Sequence, residues 1–216
     1  MSVQAKICGL STAEAVAAAV QGGARFVGFV FYPPSPRNVT PEQAAALAAR
    51  VPAGVTRVGL FVDASDAALA AALERAPLDL LQFHGAETPR RVAEVKSRFK
   101  KPVMKAIAIA GPEDPDAAMP YLEAADWLLF DAKPPREGVG ALPGGNGLAF
   151  DWELLGKRQW QKPWMLSGGL NAGNVAEAVA TTHARTVDVS SGVESRQGVK
   201  NVGKISDFLA QVRALP

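Results

Sequence analysis

The chain has 216 residues, of which 48% are hydrophobic and 20% are charged, and its net charge is +2 at pH 7. This length suits one large domain, and the composition is that of an ordinary globular protein. Balanced charge without a basic tract argues against a nucleic-acid partner, and no apolar run approaches the roughly 20 residues of a membrane span. A single cysteine excludes an internal disulfide, and residues 1–4 show no signal-peptide pattern, so we expect a cytoplasmic protein.

Short apolar segments alternate with alanine-rich segments from one end of the chain to the other. Eight of the apolar segments have the length of a parallel strand, and most are continuously hydrophobic, as expected for strands that are buried on both faces. These predicted strands cover residues 5–8, 26–31, 57–62, 79–84, 103–107, 127–131, 164–167 and 186–190.

Helix-start chemistry recurs between the strands. A hydroxyl residue followed by proline, or by a glutamate or glutamine three positions later, is typical of a helix N-terminus. Three such segments are Ser11-Thr12-Ala13-Glu14, Thr40-Pro41-Glu42-Gln43 and Thr88-Pro89. We expect Asn171 to cap a helix over 172–180 and a last helix near 204–214. Three prolines within 112–123 predict a short or irregular helix there.

Eight strand–helix units without a break in composition predict one closed (β/α)8 TIM barrel of eight parallel strands, spanning 1–216 as a single domain. An open, doubly wound sheet is the alternative. Two long loops, 32–40 and 132–150, both follow strands, and long loops in compact domains are usually functional. We therefore expect the active site at the C-terminal face, where these loops lie.

Alternation along the strands predicts which side chains point into the barrel. Successive side chains point to opposite faces, and the outer face must pack on apolar helices. The polar residues expected inside are Lys6, Cys8, Gln82, His84, Lys105, Asp131, Asp188 and Ser190. Because a buried charge needs a partner, we expect Lys6 and Lys105 to pair with Asp131 or Asp188, with a Schiff-base lysine as the alternative.

Three of these residues have both a structural and a functional interpretation. Cys8 is either a small buried hydrophobic residue or a reactive thiol, and His84 is either a hydrogen-bonded core histidine or a base. Asp131 ends an otherwise apolar strand and begins the longest loop, a position that is hard to explain structurally, so a functional role is as well supported as a structural one. The two histidines show no metal-ligand spacing, so we expect no metal.

Glycine-rich segments follow strands seven and eight. They are Ser167-Gly168-Gly169-Leu170-Asn171 and Ser190-Ser191-Gly192-Val193-Glu194. Backbone N–H groups at a helix N-terminus bind phosphate, glycine permits a close approach, and loops seven and eight of such barrels are a recurring phosphate site. Gly144-Gly145-Asn146-Gly147 could fold over the same group. The pattern predicts a small phosphorylated ligand.

Taken together, seven motifs resemble those of the phosphoribosylanthranilate isomerase family, in the family's order and over nearly the whole chain. They are Lys6-Ile7-Cys8-Gly9, Ser35-Pro36-Arg37, Gln82-Phe83-His84-Gly85, Leu129-Phe130-Asp131, Gly144-Gly145-Asn146-Gly147 with Phe150-Asp151-Trp152, Ser167-Gly168-Gly169-Leu170, and Asp188-Val189-Ser190-Ser191-Gly192-Val193-Glu194.

The resemblance implies a step of tryptophan biosynthesis, the Amadori rearrangement of N-(5-phosphoribosyl)anthranilate to 1-(2-carboxyphenylamino)-1-deoxyribulose 5-phosphate. It implies that Asp131 is the general acid, that Cys8 is the general base and that Arg37 binds the anthranilate carboxylate. Loops six, seven and eight would hold the phosphate. The further substrate-binding residues that it implies are His84, Gly144, Gly145, Gly168, Gly169, Asp188, Ser190, Ser191 and Gly192.

These residue types suit the chemistry. Opening the furanose requires a proton on the ring oxygen, which Asp131 supplies if a dry site keeps it protonated. Removal of the C2′ proton follows, and a cation such as Lys6 raises the small thiolate fraction of Cys8. The substrate's own imine is the electron sink, so no cofactor is expected. The oligomeric state stays open between monomer and homodimer.

Two other functions stay open. A lyase or synthase on a related phosphorylated substrate would use Lys6 or Lys105 as a catalytic amine. A non-catalytic barrel would bind a phosphorylated ligand without turnover.

Overall fold

The computed structural model describes residues 2–133, 144–145, 147–156 and 158–216. Eight parallel strands follow one another in sequence order, and β1 also pairs with β8, which closes the barrel. The closed (β/α)8 fold is therefore confirmed, and the open-sheet alternative is wrong. The strands are β1 Gln4–Cys8, β2 Phe26–Phe31, β3 Thr56–Phe61, β4 Leu80–Phe83, β5 Val103–Ile109, β6 Trp127–Ala132, β7 Trp164–Leu166 and β8 Thr186–Val189.

Helices follow the strands and form the outer layer. They are α1 Ala13–Gln21, α2 Pro41–Ala48, α3 Asp66–Arg75, α4 Pro89–Phe99, α5 Glu153–Gly156, α6 Val175–Thr182 and α7 Val202–Arg213. After β5 the chain instead forms a 3₁₀ helix, Asp114–Tyr121, which confirms the irregularity that its prolines predict. Within the described ranges, none of these helices is both long and apolar enough to cross a membrane.

A short antiparallel hairpin interrupts the last unit. A 3₁₀ turn, Ser191–Val193, follows β8, and the strands β9 Glu194–Arg196 and β10 Val199–Lys200 then pair before α7 begins. Because the hairpin comes directly after the carboxyl end of β8, its residues lie at the same face of the barrel as the loops.

Two helix starts match their predictions. The Oγ of Thr40 accepts from the Gln43 backbone N–H, and the Gln43 side chain accepts from the Thr40 N–H, which completes a capping box at α2. Thr88 likewise accepts from the Arg91 N–H at the start of α4.

Two other helix starts differ from their predictions. Helix α1 is capped by Thr12, which accepts from the Ala15 N–H, so the cap lies one residue later than the Ser11 motif indicates. Helix α6 begins at Val175 rather than near 172, because the Asn171 side chain accepts from the Gly173 N–H in a turn that delays the helix.

The core has two layers, which are separated by the barrel wall. The larger layer fills the space between strands and helices and includes Ile7, Phe29, Phe83 and Phe130, all essentially inaccessible to solvent. Burial of each such side chain contributes about 1.5–3 kcal/mol. The smaller layer lies inside the barrel. Six of its residues come one from each of six consecutive strands, Phe26, Val58, Leu80, Met104, Leu129 and Met165, and a separate group consists of Cys8, Val30 and Leu60.

The interior position of Met104 shows that the prediction for Lys105 is wrong. Neighbours on a strand point to opposite faces, so Lys105 points outward to the helix layer. There its Nζ lies 2.9 Å from Oε2 of Glu87 and donates to the carbonyl of Gly85 at 2.6 Å. The outer layer tolerates this charge because the loop before α4 brings a carboxylate to meet it.

Candidate active site

One pocket opens at the carboxyl ends of the strands, and it brings together almost all of the predicted site residues. Gly192 is the exception, because its α-carbon packs against Leu170, whose carbonyl oxygen lies 1.9 Å from where a Cβ of residue 192 would be. The predicted residues that line the pocket are Cys8, Arg37, His84, Asp131, Gly144, Gly145, Gly168, Gly169, Asp188, Ser190 and Ser191.

Beneath the pocket, Lys6 and Asp188 form a buried ion pair with Nζ 2.9 Å from Oδ1. The two residues face each other in the β1–β8 register, which confirms the pairing predicted for Lys6. The Ser167 hydroxyl lies 3.5 Å from the second carboxylate oxygen of Asp188. Gly28 on β2 leaves the room that this arrangement needs, because a Cβ there would lie 3.1 Å from the Sγ of Cys8.

The protonation of Cys8 follows from its surroundings. Burial raises the pKa of the Cys8 thiol above its ordinary value, although the Lys6 ammonium acts in the opposite direction. Burial alone would lower the pKa of Lys6, but attraction to Asp188 raises it overall. Lys6 is therefore charged, while the Cys8 thiol of the substrate-free site keeps its proton at neutral pH.

Asp131 lies across the pocket at the end of β6 and is only 6% exposed. Its Oδ1 accepts from the backbone N–H of Ala132 at 2.9 Å, and its Oδ2 lies 3.2 Å from Nε2 of His84. The Gln82 amide nitrogen lies 3.1 Å from Nδ1 of His84, and this contact holds the ring with Nε2 facing Asp131. The carboxyl group is thereby fixed in orientation from two sides.

Arg37 lies on the loop after β2, and it is 3% exposed despite its charge. The aliphatic part of its side chain packs over Gly9, where a Cβ would lie 2.7 Å from Cδ of Arg37. Gly9 also has φ +76, a conformation that side-chain-bearing residues rarely adopt. The glycine directly after Cys8 therefore permits both the turn at the end of β1 and the approach of Arg37.

Two buried charged residues of the site were not predicted from the sequence. Glu194 accepts from Nε of Arg37 at 2.7 Å and from its Nη2 at 2.9 Å, and it also pairs with Nζ of Lys200 at 2.7 Å. In the sequence, Glu194 and Lys200 lie in a polar, glycine-containing segment that resembles an exposed loop. The one available signal is that Glu194 is the last residue of the glycine-containing segment that follows strand eight.

The loop after β7 approaches other backbone segments closely. Gly168 has φ +93, and a Cβ there would lie 2.7 Å from the Ala132 nitrogen. A Cβ on Gly169 would lie 2.7 Å from the Ala149 nitrogen, so loop six passes directly over loop seven. Both positions exclude larger residues at the mouth of the pocket.

The described part of loop six contacts Asp131, whereas the sequence predicted only that this segment could fold over the phosphate. A Cβ on Gly144 would lie 2.8 Å from Oδ2 of Asp131, and the Gly145 carbonyl accepts from Nη2 of Arg37 at 3.1 Å. Residues 134–143 and Asn146, which belong to the predicted long loop, lie outside the described residues.

Comparison with known proteins places this geometry in one family. The family model described as N-(5'phosphoribosyl)anthranilate (PRA) isomerase matches residues 5–211. The chain is 60% identical, over 99% of both chains, to the N-(5'-phosphoribosyl)anthranilate isomerase of Paracoccus denitrificans.

The chain belongs to the N-(5'-phosphoribosyl)anthranilate isomerase family.

Two solved structures of the family share the fold. One is a crystal structure of mutually generated monomers of the dimeric enzyme from Thermotoga maritima, with 33% identity, a TM-score of 0.83 and coverage of 99% of this chain and 100% of that one. The other is a phosphoribosyl anthranilate isomerase in complex with reduced 1-(o-carboxyphenylamino)-1-deoxyribulose 5-phosphate, with 32% identity, the same TM-score and the same coverage. The family predicted from the motifs is thus confirmed.

Proposed function

We propose that the chain converts N-(5-phosphoribosyl)anthranilate to 1-(2-carboxyphenylamino)-1-deoxyribulose 5-phosphate, as a step of tryptophan biosynthesis. The observation that carries this proposal is the convergence of Cys8, Asp131 and Arg37 on one pocket of a barrel of this family. A relative that binds a reduced form of this product supports it further. The pocket offers an acid, a thiol, a cation and glycine loops, and the reaction calls for each.

Asp131 is the general acid in this proposal. It donates a proton to the furanose ring oxygen as the C1′–O bond breaks, and the nitrogen lone pair forms the C1′=N bond of the open Schiff base. The His84 Nε2–H faces Oδ2 of Asp131 and stabilises the carboxylate that remains after the transfer. His84 acts here on the acid as well as lining the substrate pocket.

Cys8 is the general base. It removes the proton from C2′, and the electron pair moves through C1′ to the imine nitrogen, which gives an enolamine that tautomerises to the ketone. Because the thiol is protonated in the substrate-free site, it acts as a base only after its proton has passed to water, and the ammonium of Lys6 stabilises the resulting thiolate. No cofactor is needed, since the substrate's own imine accepts the electrons.

The two ends of the substrate are held by different elements. Arg37 binds the anthranilate carboxylate through a charge-assisted hydrogen bond from Nη1, because Nε and Nη2 already donate to Glu194 and Gly145. The phosphate lies on loops seven and eight, with Gly168, Gly169 and Ser191 at the mouth of the pocket, Gly192 supporting them from behind, and Gly145 of loop six nearby. Asp188 and Ser190 line the floor, where they meet the ribulose chain.

A lysine-dependent lyase or synthase fits the site less well. Lys105 lies outside the barrel in an ion pair with Glu87, and the Nζ of Lys6 is held by Asp188 and carries a proton. An amine that forms a Schiff base has to be neutral and able to reach the substrate.

The test follows the anthranilate fluorescence of the substrate on addition of purified protein. Wild-type protein should change the signal, and Asp131→Asn should lower kcat by about 10²–10⁴-fold, the range for loss of a general acid. Asp116→Asn, an exposed aspartate outside the pocket, is the matched control and should keep full activity. An unchanged signal with wild-type protein would refute the isomerase, whereas an active Asp131→Asn protein would refute only the acid assignment.

The remaining predictions concern partners and location. We propose that the partner is the phosphorylated substrate alone, without nucleic acid or membrane, that the whole chain acts as one catalytic domain, and that it acts as a monomer or homodimer. Because the relative from Thermotoga maritima is dimeric, light scattering should be used to test for the homodimer. A cytoplasmic location stays a prediction.

A further inference from the structure

Three charged side chains form a buried cluster beside the pocket, here called the carboxylate clamp: Arg37, Glu194 and Lys200. Their side chains are only 4%, 4% and 1% exposed. Arg37 comes from the loop after β2, while Glu194 and Lys200 come from the β9–β10 hairpin, so barrel closure brings them together. Charges buried to this degree require partners, and the way these three are paired is informative.

Glu194 accepts hydrogen bonds from both cations. Arg37 donates to it through Nε and Nη2, Lys200 donates to Oε1, and the Gly198 N–H donates to Oε2 at 3.0 Å. This side-on pairing occupies one edge of the guanidinium and fixes its plane. Among the described residues, Nη1 of Arg37 has no hydrogen-bond partner, and it lies 2.7 Å from where a Cβ of Gly145 would be, on the pocket side.

The charges of the clamp do not balance. Two cations face one carboxylate, which leaves one positive charge in a site that is nearly free of solvent. Burial lowers the pKa of Lys200, and Arg37 acts in the same direction, although Glu194 opposes both. Burial raises the pKa of Glu194, but its hydrogen bonds from Arg37 and Lys200 lower it overall. The Nζ of Lys200 donates both to Glu194 and to the Ser190 carbonyl, as an ammonium does, so the clamp lacks one negative charge, which an incoming carboxylate supplies.

Lys200 also connects the clamp to the catalytic strand. Its Nζ donates to the Ser190 carbonyl at 2.8 Å and lies 3.2 Å from the Ser190 hydroxyl, which in turn donates to the carbonyl of Cys8 at 3.2 Å. One ammonium group thus ties Glu194 to the ends of β8 and β1. The distance between the carboxylate-binding edge of Arg37 and the Cys8 thiol is set through this chain of contacts.

We propose that Glu194 and Lys200 are positioning residues that hold Arg37 in the one orientation that selects substrates with an aromatic carboxylate. This inference rests on the proposed function and extends it to residues that have had no role assigned. Glu194 orients the guanidinium, Lys200 holds Glu194, and the residual positive charge favours an anionic substrate over a neutral one. Loss of Glu194 reduces this preference more than it slows the chemistry, whereas loss of Lys200 reduces the preference and also removes a cation that favours the Cys8 thiolate.

The test compares two substrates in steady-state kinetics: N-(5-phosphoribosyl)anthranilate and the glycosylamine of ribose 5-phosphate with aniline, which lacks the carboxyl group. Glu194→Gln should raise KM for N-(5-phosphoribosyl)anthranilate about 10- to 100-fold, the range for losing an oriented charge-assisted contact, with kcat within about threefold. Lys200→Met should raise this KM by a similar factor, and because the Lys200 ammonium also favours the Cys8 thiolate, its kcat should fall for both substrates alike. KM for the aniline substrate should change by less than about threefold. Glu94→Gln, in an exposed pair on α4, is the matched control.

A binding measurement separates failure of this inference from failure of the proposed function. Calorimetry with the reduced product analogue and its aniline counterpart reports the carboxylate preference without turnover, and either folded variant suffices. Equal weakening for both ligands, or an unchanged preference, overturns the clamp. If wild-type protein shows no turnover, the proposed function fails, and the two binding constants still decide whether Glu194 and Lys200 create the preference.

Discussion

Two lysine–carboxylate pairs are buried on opposite sides of the same barrel wall. Lys6 pairs with Asp188 inside the barrel, and Lys105 pairs with Glu87 outside it, each with 2.9 Å between Nζ and the carboxylate oxygen. All four side chains are at most 5% exposed. Distance and burial therefore do not distinguish the two pairs, and the difference lies in what surrounds them.

The outer pair is surrounded by backbone groups that it holds in place. Glu87 accepts from the N–H groups of Asp63 and Gly85, and the Tyr121 hydroxyl donates to the Glu87 carbonyl. Each contact joins a loop or helix of the outer layer to its neighbour. The outer pair therefore organises the connections after β3, β4 and β5, and neither Lys105 nor Glu87 is among the described residues that line the pocket.

The inner pair is surrounded by reactive groups instead. Lys6 lies next to Cys8, and Asp188 lies within reach of Ser167 and lines the pocket. A buried ion pair is weak evidence for stability by itself, since desolvation offsets much of the attraction. The comparison teaches that neighbouring groups, rather than the strength of a buried pair, indicate whether it serves folding or catalysis.

The largest effect is expected from breaking the inner pair. Lys6→Met leaves the Asp188 charge buried without a partner, which should lower the free energy of unfolding by about 3–5 kcal/mol. The same change removes the cation beside the Cys8 thiol, so kcat should also fall by about 100-fold. Thermal unfolding and the fluorescence assay measure the two effects. Retention of full kcat by the folded variant would show that the inner pair is structural.

Breaking the outer pair should affect stability alone. Lys105→Met leaves the Glu87 charge unpaired and should lower the free energy of unfolding by about 3–5 kcal/mol. Because neither residue of the pair lines the part of the pocket that the structure describes, kcat and KM of the folded protein should stay within about twofold of the wild-type values. A large drop in kcat at a temperature where the variant is fully folded would remove the distinction between the two pairs.

The misplacement of Lys105 shows how far strand patterns can be used for prediction. Alternation correctly placed Lys6, His84, Asp131 and Asp188 inside the barrel, because their apolar neighbours occupy the outer layer. It failed for Lys105, since the rule assumes an outer layer without charge. A carboxylate 18 residues earlier satisfies that charge, and no local pattern shows that the loop will bring it there.

The pairing of Arg37 with Glu194 was not predicted from the sequence, for a related reason. Arg37 and Glu194 are 157 positions apart, and only closure of the barrel between β8 and β1 brings them into contact. The strands themselves depend on local hydrophobic runs and could be located from the sequence. Pairings among loop residues depend on the three-dimensional arrangement of several connections. The motifs therefore identified Arg37 as a site residue but did not show that Glu194 and Lys200 support it.

A smaller effect is expected in how the free energy of unfolding depends on pH, through Cys8, the neighbour of the inner pair. Because the folded thiol has a raised pKa, it keeps its proton at a pH where the unfolded chain has lost it. The folded state then binds more protons, so the contribution of Cys8 to stability falls as pH rises above the ordinary thiol pKa of about 8.5, by at most about 1.4 kcal/mol per pH unit. Unfolding of wild-type and Cys8→Ser protein in guanidinium between pH 8 and 10 measures this slope. Equal slopes would contradict the raised pKa.

The smallest effect should come from an ion pair that lacks burial altogether. Arg90 and Glu94 face each other at 2.8 Å on α4, one turn apart, with side chains 89% and 52% exposed. The distance between their charges matches that of the buried pairs, but water screens the attraction and solvates whichever charge is left alone. Arg90→Gln should therefore leave the melting temperature and both kinetic constants unchanged within error. If Arg90→Gln instead lowered stability as much as Lys105→Met, removal of a charge would determine the effect regardless of burial. Burial could then not explain the effects expected for the two buried pairs.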